Sequence, residues 1–330
     1  MLPLAFLLFL PLLSALMILV TRHIIFHKSV IFSTFILISL LSITLFFTSA
    51  QNSSYVLHSF EESTLFTFDL LLLLFFAYIG YRYKNQKVLW LAVGQLFLFL
   101  LLESMLENIR PEASLMVDEL SKVMFLIINI VGGLIVIYSQ QYMLDEKMSA
   151  FKKRLFSAYL LIFIAIMNFI VIANSLLLFF FLFEMTTLAS YLLISFREDR
   201  LSRTNALRAL WMNQIGGVVI LLGSLLIVQQ FNTLYIDTLM QSAGGYLLLG
   251  VSLLSMAALV KGASLPFDRW LLGAMVAPTP VSAMLHSATM VKIAPFMMLK
   301  FSPILAGTIV GGVLSVFGAL FFVIASFLAL

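Results

Sequence analysis

The chain is a succession of long apolar segments separated by short polar breaks. Each segment holds about 20 residues, the length that a helix needs to cross a hydrocarbon core of ~30 Å. Stretches such as LLLLLFFAYIG are apolar on every side, and the alternation of apolar and polar residues that marks membrane strands is absent. The pattern predicts an all-α, polytopic integral membrane protein with about eleven transmembrane helices. The predicted helices lie at about 2–20, 29–49, 64–81, 88–106, 121–143, 155–173, 175–196, 205–229, 243–276, 279–300 and 303–329.

Composition supports this class. Of the 330 residues, 62% are hydrophobic and 10% are charged, and the mean hydropathy of +1.12 excludes a soluble domain. The chain has no cysteine, which excludes disulfides, iron–sulfur ligation and thiolate metal sites within it. The first apolar segment lacks the basic start and small-residue cleavage site of a signal peptide, so we predict a retained helix.

The charges between the helices alternate in sign and predict an orientation. Thirteen of the nineteen basic residues follow the first, third, fifth and seventh predicted helices. They are Arg22, Lys28, Arg82, Lys84, Lys87, Lys147, Lys152, Lys153, Arg154, Arg197, Arg200, Arg203 and Arg208. The loops after the second, fourth, sixth and eighth helices contain Arg110, Lys122, Glu61, Glu62, Glu107, Glu112, Asp118, Glu119 and Asp237. The positive-inside rule then predicts cytoplasmic basic loops and an N-terminus outside, so the net charge of +4 gives no support for nucleic-acid binding.

Two ionisable residues stand in the middle of apolar segments. Glu184 lies within SLLLFFFLFEMTTLASYLLI, and Lys261 lies within the long ninth segment. An ionisable group at this depth costs several kcal/mol unless it is paired or lines a watery path. These two residues therefore predict a route for protons or cations.

The ninth segment, at 243–276, is too long for one straight crossing and contains Lys-Gly-Ala-Ser-Leu-Pro at 261–266. Pro266 lacks an amide hydrogen and Gly262 is a poor helix former, so we predict a broken helix. A break inside a membrane is tolerated where the freed backbone groups face protein or water. The sequence thus predicts a hydrated cavity beside Lys261.

A turn at 277–282 leads into the next predicted helix, which carries His286 and Lys292. On an α-helix these residues are about 240° apart and face different directions. We expect them to contact different neighbours along one path.

Three stretches resemble a known family. LVKGASLPFDRWLLGAMVAPTPVSAMLHSATMVKIAPFMMLK at 259–300 resembles the signature of the antiporter-like subunits shared by respiratory complex I, membrane-bound nickel–iron hydrogenases and Mrp-type cation/proton antiporters. FLFEMTTLASYLLISF at 181–196 is similar to that family's glutamate helix, and IVGGLIVIYSQQYM at 130–143 to another of its helices. The resemblance covers about 118–330.

The resemblance implies roles for four residues. Glu184 corresponds to the family's essential glutamate, Lys261 to the lysine of its broken helix, and His286 to the histidine of the following helix. Lys292 resembles a relay lysine that part of the family has. Many relatives have an Arg and an Asp where this chain has Asn213-Gln214-Ile215-Gly216-Gly217, so a further ion pair at that point is not implied.

The resemblance also implies an architecture of two inverted five-helix repeats, of which this chain carries the first. We expect about four N-terminal helices in 1–117, the antiporter-like core in 118–302, and the start of the following helix in 303–330, in a truncated chain or one product of a split gene. The two helices at 64–106 are additional to the complex I plan and favour the hydrogenase-related branch.

These residues predict a proton relay. Burial disfavours a charged ammonium and a nearby carboxylate favours it, so Lys261 is expected to exchange its proton as its interaction with Glu184 changes. His286 or Lys292 would receive the proton through water, a task that suits histidine because its ordinary pKa is ~6.5. The structural alternatives are an interhelical ion pair for Glu184 and Lys261, a satisfied hydrogen-bond partner for His286, and a snorkelling side chain for Lys292.

Three classes of function follow. The first is a subunit that moves protons or Na⁺ within a redox-driven complex of the inner membrane. Its iron–sulfur, flavin or nickel–iron centres would lie on partner subunits in the membrane and in a peripheral redox module. The second is a subunit of an Mrp-type Na⁺/H⁺ antiporter without a redox partner. The third is an inert scaffold, which the buried Glu184 and Lys261 disfavour.

Overall fold

The fold is known from a computed structural model, which describes residues 2–21, 23–48, 53–55, 62–106, 113–241 and 247–329. Several residues of the predicted loops lie outside this part of the chain. They are Arg22, Glu61, Glu107, Arg110 and Glu112, together with positions 243–246 at the predicted start of the interrupted helix.

The described chain is helical apart from two short strands and the connecting loops. The α-helices are α1 (Leu2–Val20), α2 (Ile24–Phe47), α3 (Glu62–Arg82), α4 (Gln86–Glu103), α5 (Glu119–Leu126), α6 (Gly132–Asp145), α7 (Ala150–Ile170), α8 (Leu176–Ile194), α9 (Arg200–Phe231), α10 (Ile236–Gln241), α11 (Leu247–Lys261), α12 (Arg269–Ala274), α13 (Thr279–Ala283), α14 (Ile293–Leu305) and α15 (Ile309–Ala329). The strands are β1 (Ser53–Tyr55) and β2 (Leu115–Val117). Ten helical spans of the described residues are long and apolar enough to cross a membrane, which confirms the all-α, multi-pass class.

Polar capping residues decide where several helices begin. The side chains of Asn85, Ser149 and Asp199 accept hydrogen bonds from the first turns of α4, α7 and α9. Because Asp199 caps α9, this helix begins five residues earlier than its apolar part, which alone predicts 205–229. It ends at Asn232, whose left-handed backbone closes the last turn. With 32 residues, α9 is about 48 Å long and extends beyond the hydrocarbon core.

One end of the bundle is joined by short backbone pairings. Strands β1 and β2 pair in antiparallel fashion, with Ser53 opposite Val117. Two isolated bridges join β2 to Ala173, after α7, and Ser175 to Tyr235, after α9. The connections after α2, α4, α7 and α9 therefore meet at one end of the bundle. We call this end the acidic face, since Asp118, Glu119 and Asp237 lie there.

The opposite end, the basic face, is joined by charged side chains. Arg197, after α8, pairs with Glu146, after α6, at 2.6 Å. Lys152, at the start of α7, pairs with Glu198 at 2.8 Å. The guanidinium of Arg154 donates to the carbonyl of Thr21, after α1. Thus the structure gathers the described basic loops at one end, as the alternating charges predict.

Helix α9 is the centre of the packing. It contacts α4, α8, α11 and α12, while α1 packs against α2 and α7. Helices α3 and α4 form a hairpin that lies against α8 and α9. Helix α15 packs lightly on the end of α14, and none of its described side chains is buried. The polar side chains of α8 and α9 consequently lie inside the bundle.

The ninth segment is interrupted where the sequence predicts. Helix α11 ends at Lys261, and Ala263 adopts the left-handed conformation with φ 53°. The amides of Ala263 and Ser264 donate to the carbonyls of Val260 and Leu259, which is the Schellman arrangement of a helix end. Gly262 is not the left-handed residue. It is needed for packing, because a Cβ at Gly262 would lie 2.6 Å from the Cβ of Ala294 on α14.

The predicted helix at 279–300 is not one continuous α-helix. Residues Met284–Ala288 form a π-helical turn, Met290–Lys292 form a 3-10 turn, and Thr289 between them has φ −129° and ψ −102°. The hydroxyl of Thr289 donates to the carbonyl of Met284, five residues back, which stabilises the wide turn. The angle of about 240° expected between His286 and Lys292 assumed an uninterrupted α-helix, and that assumption is wrong.

Candidate functional site

Lys261 is the last residue of α11, and its side chain lies in the middle of the bundle with 0% exposure. The helix end is fixed from the other side of the break, where the indole of Trp270 donates to the carbonyl of Val260 at 3.1 Å. The carbonyl end of a helix carries partial negative charge and favours a cation nearby. The break therefore places Lys261 at the helix end that favours a cation.

The direct partners of the Lys261 ammonium come from α8. Its Nζ donates to the hydroxyl of Thr187 at 2.8 Å and to the carbonyl of Phe183 at 2.9 Å. The same nitrogen lies 3.8 Å from the centre of the Phe183 ring, a cation–π contact. The glutamate helix thus holds the ammonium through neutral oxygens and an aromatic face.

Glu184 is also fully buried, one residue after Phe183. Its Oε1 accepts from the amide nitrogen of Gln95 at 2.8 Å, and its Oε2 has no hydrogen-bond partner in the part of the chain that the structure describes. Lys261 and Glu184 interact electrostatically, but they do not approach within the 4.0 Å of an ion pair. The two predicted residues are brought together, with Thr187 as the group that contacts the lysine.

Gln95, on α4, was not singled out from the sequence. It donates to Glu184 and also to the carbonyl of Gln214 on α9, at 3.1 Å. The contact depends on Gly217, because a Cβ there would overlap both Glu184 Oε1 and Gln95 Nε2. A glutamine inside the apolar run VGQLFLFLLL is the signal that could have found it, since a buried amide needs partners.

Several polar atoms around Glu184 have no partner among the described residues. Besides Glu184 Oε2, they include Gln95 Oε1, Asn213 Oδ1 and both side-chain polar atoms of Gln214. Asn213 and Gln214 are neutral, and Asn213 donates to the carbonyl of Ala209 at 2.8 Å. Several buried polar atoms without partners lie together here, and water or added protons would complete their hydrogen bonds. The region is therefore chemically suited to proton exchange.

His286 and Lys292 lie beyond the break, and within the described structure neither forms a hydrogen bond with Lys261 or with the other. His286 is half-buried in the π-helical turn, and its Nε2 is buried without a partner there. That turn contacts a second π-helical turn, Ile127–Val131, between α5 and α6. Lys292 is half-buried in the 3-10 turn that leads into α14. Their part in a relay stays a prediction.

A cleft of about 620 Å³ opens at the acidic face. Lys300 of α14 reaches it from inside and pairs with Asp118 at 3.2 Å, beside Glu119 and Asp237. Burial opposes the charge of Asp118, but Lys300 and the hydrogen bonds of Ser121 outweigh it and hold the pKa of Asp118 below its ordinary value. Lys300 was not among the residues selected from the sequence.

A second cleft, of about 430 Å³, lies at the basic face and is lined by side chains that include Arg82, Lys152, Tyr191 and Arg203. Neither cleft is lined by Lys261, so water beside that lysine also stays a prediction. Among the described residues, no cluster of three or more His, Asp or Glu side chains is placed to hold a metal.

Two family descriptions match the sequence. One, "NADH:quinone oxidoreductase/Mrp antiporter, TM", matches residues 173–330, and the other, "NADH-Ubiquinone oxidoreductase (complex I), chain 5 N-terminus", matches residues 105–151. The first contains Glu184, Lys261, His286 and Lys292. The hairpin α3–α4 lies outside both matches.

Two individual proteins are also similar in sequence to this chain. The NADH-quinone oxidoreductase subunit L of Mycobacterium tuberculosis is 36% identical over 226 residues, 64% of this chain and 35% of that protein. The A1 subunit of the Na⁺/H⁺ antiporter of Staphylococcus haemolyticus is 35% identical over 205 residues, 60% of this chain and 25% of that protein. The chain thus spans about a third or less of the length of these curated relatives.

Two solved structures share the fold. An Mrp complex from Dietzia has a TM-score of 0.64 at 23% identity, over 91% of this chain and 28% of that chain. The membrane-bound sulfane sulfur reductase, an archaeal respiratory membrane complex, has a TM-score of 0.66 at 17% identity, over 89% of this chain and 52% of that chain. Both resemblances establish the arrangement of the helices.

Proposed function

Since the chain belongs to the family of antiporter-like membrane subunits that includes NADH-quinone oxidoreductase subunit L and the A1 subunit of Na⁺/H⁺ antiporters, we propose that it moves protons across the membrane. Na⁺ is the second candidate ion. The observation that carries the proposal is the fully buried Lys261 ammonium, bonded to neutral oxygens of the helix that bears Glu184. A structural lysine at this depth would be expected to form a close ion pair.

In the proposed mechanism Lys261 alternates between two protonation states. A carboxylate in direct contact would stabilise the Lys261 ammonium more strongly than neutral oxygens do. With neutral oxygens as the direct partners, a small change at Glu184 therefore decides whether Lys261 keeps or releases its proton. When the influence of Glu184 weakens, Lys261 releases its proton. His286 and Lys292 would receive that proton through water on the far side of the helix break, and histidine is suited to this task.

The proposed route runs from the interior to the cleft at the acidic face. Lys300, on the helix that follows Lys292, joins the interior to Asp118 at that cleft. In the proposed orientation the basic face lies in the cytoplasm, the acidic face and the N-terminus lie outside, and the chain resides in the inner (cytoplasmic) membrane.

We propose that the chain works within a multisubunit membrane complex driven by a peripheral redox module. Iron–sulfur, flavin or nickel–iron centres would be held by the partner subunits. The relative from Mycobacterium tuberculosis is named as a subunit of NADH-quinone oxidoreductase, and the sulfane sulfur reductase that shares the fold is a respiratory membrane complex. The alternative is an Mrp-type Na⁺/H⁺ antiporter without redox chemistry, which the likeness to the staphylococcal antiporter favours.

One purification tests the partner proposal. The complex would be extracted gently from native membranes, its subunits identified by mass spectrometry, and its iron and nickel measured. A hydrogenase large subunit with nickel, or a quinone module with iron alone, would support a redox-driven pump. Small membrane partners without either metal would contradict that proposal and support the antiporter.

Transport measured in inside-out vesicles from the same cells tests the function itself. The proposal expects a pH gradient that depends on this chain, driven by a reduced donor in the redox case and by added Na⁺ in the antiporter case. Equal gradients in vesicles with and without the chain would show that it does not move ions.

A further inference from the structure

The hairpin α3–α4 brings polar side chains to the site of Glu184, although it lies outside both family matches. It packs against α8 and α9. Asp69 on α3 and Gln95 on α4 are both 0% exposed. A hairpin that served only as a lipid-facing cover would not need to bury a carboxyl group and an amide.

Asp69 has the features of a proton-exchanging group. Neither of its carboxyl oxygens has a hydrogen-bond partner in the described structure. The charged groups that act on it are Glu184 and Glu103, both acidic. An ionised carboxylate in this setting is costly to bury, so the side chain either carries a proton or is reached by water. Both conditions suit a group that passes protons.

Gln95 connects the hairpin to the lysine site. Its amide nitrogen is occupied by Glu184 and by the carbonyl of Gln214, which fixes the orientation of the Glu184 carboxyl group. Its Oε1 is buried without a partner among the described residues and can accept a hydrogen bond from water. The close contact exists because Gly217 has no side chain. Gln95 is thus a positioning residue for Glu184.

The acidic groups are ordered from the surface inward. Helix α4 ends at Glu103, half-buried near the acidic face, and Glu103 interacts electrostatically with Asp69. Asp69 in turn interacts with Glu184, which interacts with Lys261. The sequence alone indicated no role for Asp69 and showed this pair of helices only as an addition.

We propose that the hairpin α3–α4 supplies a second proton branch, in which Asp69 exchanges protons with Glu184 and Glu103 forms the outer end toward the acidic face. The inference rests on the proposed function, since it adds a path to Glu184, the group whose influence controls proton release from Lys261 in that mechanism. Each step moves one proton from one carboxyl oxygen through water to another carboxylate, and nothing else is consumed. The branch gives Glu184 a partner for proton exchange besides Lys261.

The test compares variants of the whole complex in inside-out vesicles. Asp69→Asn keeps the shape of the side chain and removes its proton, whereas Asp69→Glu keeps the acid. Asp145→Asn is the matched control, because Asp145 is an exposed carboxylate at the end of α6 that pairs with no side chain of the described structure. Assembly is checked by native gel electrophoresis, and protonated carboxyl groups by infrared difference spectroscopy in H₂O and D₂O.

The branch predicts that Asp69→Asn slows transport about tenfold or more, as expected for a lost acid–base group. It also predicts the loss of a deuterium-sensitive carboxyl band, while Asp69→Glu recovers most of the rate and Asp145→Asn behaves as the unmodified chain. A normal rate and an unchanged spectrum in Asp69→Asn, with transport abolished in Lys261→Ala, would overturn the branch and leave the proposed function intact. Normal transport in both variants would overturn the proposed function as well.

If Asp69→Asn fails to assemble, a second variant still tests the branch. Gln95→Met retains the volume of the side chain and removes the amide that orients Glu184. The branch predicts slower transport and an altered pH profile for this variant, because Glu184 exchanges protons in a changed setting. A pH profile and rate identical to those of the unmodified complex would contradict it.

Discussion

At the scale of residues, one turn of α8 provides most of the candidate site. Phe183 gives a carbonyl and a ring to the Lys261 ammonium, Thr187 gives a hydroxyl, and Glu184 acts electrostatically from the same turn. A direct carboxylate contact would hold the lysine charged, whereas neutral oxygens permit both states. The spacing between Glu184 and Lys261 is therefore part of the proposed chemistry.

Thr187→Val tests the hydroxyl that contacts the lysine. The change keeps the branched shape but leaves the buried ammonium with one acceptor fewer, at a cost of ~1–3 kcal/mol. We expect transport in vesicles to fall about tenfold, because 1.4 kcal/mol corresponds to a factor of about ten. Thr187→Ser should retain most of the rate.

The neighbouring Thr186 provides the control for this variant. Its hydroxyl donates to the carbonyl of Phe183 at 2.7 Å and does not contact Lys261. Thr186→Val should transport at nearly the normal rate. Equal losses in the two valine variants would show that the effect of Thr187→Val comes from packing.

The sequence could predict the charged members of the site but not the neutral ones. Glu184 and Lys261 are conspicuous because an ionisable group inside an apolar segment is costly. Thr187 looks like any membrane threonine that bonds its own helix, as it also does to the carbonyl of Phe183 at 3.2 Å. Gln95 and Asp69 become meaningful only when the fold brings α3 and α4 against α8 and α9.

At the scale of elements, close approach of α4, α8 and α9 makes the site possible. Small residues let membrane helices pack closely, and Gly216 and Gly217 serve this purpose on α9. A Cβ at Gly216 would lie 2.9 Å from the ring of Phe183. The sequence drew attention to 213–217 only because the Arg and Asp of many relatives are absent there, and the use of Gly216 and Gly217 as contact points depends on the packing.

Gly217→Ala should damage this packing. Its methyl group would overlap Glu184 Oε1 and Gln95 Nε2, so α4 must move away from α9 or the hydrogen bond must break. We expect a lower melting temperature of the detergent-solubilised complex and a transport rate reduced several-fold. The measurement is thermal unfolding followed by size-exclusion chromatography, together with transport in vesicles.

Gly94→Ala is the matched control on the adjoining helix. Nothing in the described structure lies within 4 Å of a Cβ at Gly94, and alanine is a better helix former than glycine by about 1 kcal/mol. This variant should be at least as stable as the unmodified chain. If Gly217→Ala and Gly94→Ala melt at the same temperature, the close packing of α4, α8 and α9 at Gly217 does not contribute to stability as proposed.

The sequence predicts the break after α11 but not the interruption of the predicted helix at 279–300. Helix α11 ends at Lys261, and the predicted interruption is correct because the Schellman turn and Pro266 are local features. The π-helical turn at Met284–Ala288 has no such local signal. It is stabilised by the hydrogen bond of Thr289 to Met284, five residues back, and it contacts the turn at Ile127–Val131, a neighbour that only the tertiary fold supplies.

At the scale of the whole molecule, the alternation of loop charges describes the bundle correctly. The described loops separate into an acidic face, joined by β1 and β2, and a basic face, joined by ion pairs such as that of Arg197 with Glu146. Counting charged loops could predict this separation because each helix crosses the bundle once. The assignment of the basic face to the cytoplasm remains a prediction.

The absence of cysteine permits a direct test of orientation. Single cysteines at two exposed positions, Lys147→Cys on the basic face and Glu119→Cys on the acidic face, can be labelled with a membrane-impermeant maleimide. We expect label on Glu119→Cys in intact cells or spheroplasts and on Lys147→Cys only in inside-out vesicles. The reverse pattern would contradict the proposed N-terminus outside.

Transport by Lys261→Ala in inside-out vesicles is the most direct measure of the proposed ion path. Lys147→Ala is the control, since that lysine is exposed on the basic face and pairs with no side chain of the described residues. We predict that Lys261→Ala abolishes ion transport while the complex assembles in normal amount, and that Lys147→Ala transports as the unmodified complex does. Normal coupled transport in Lys261→Ala would contradict the proposed path.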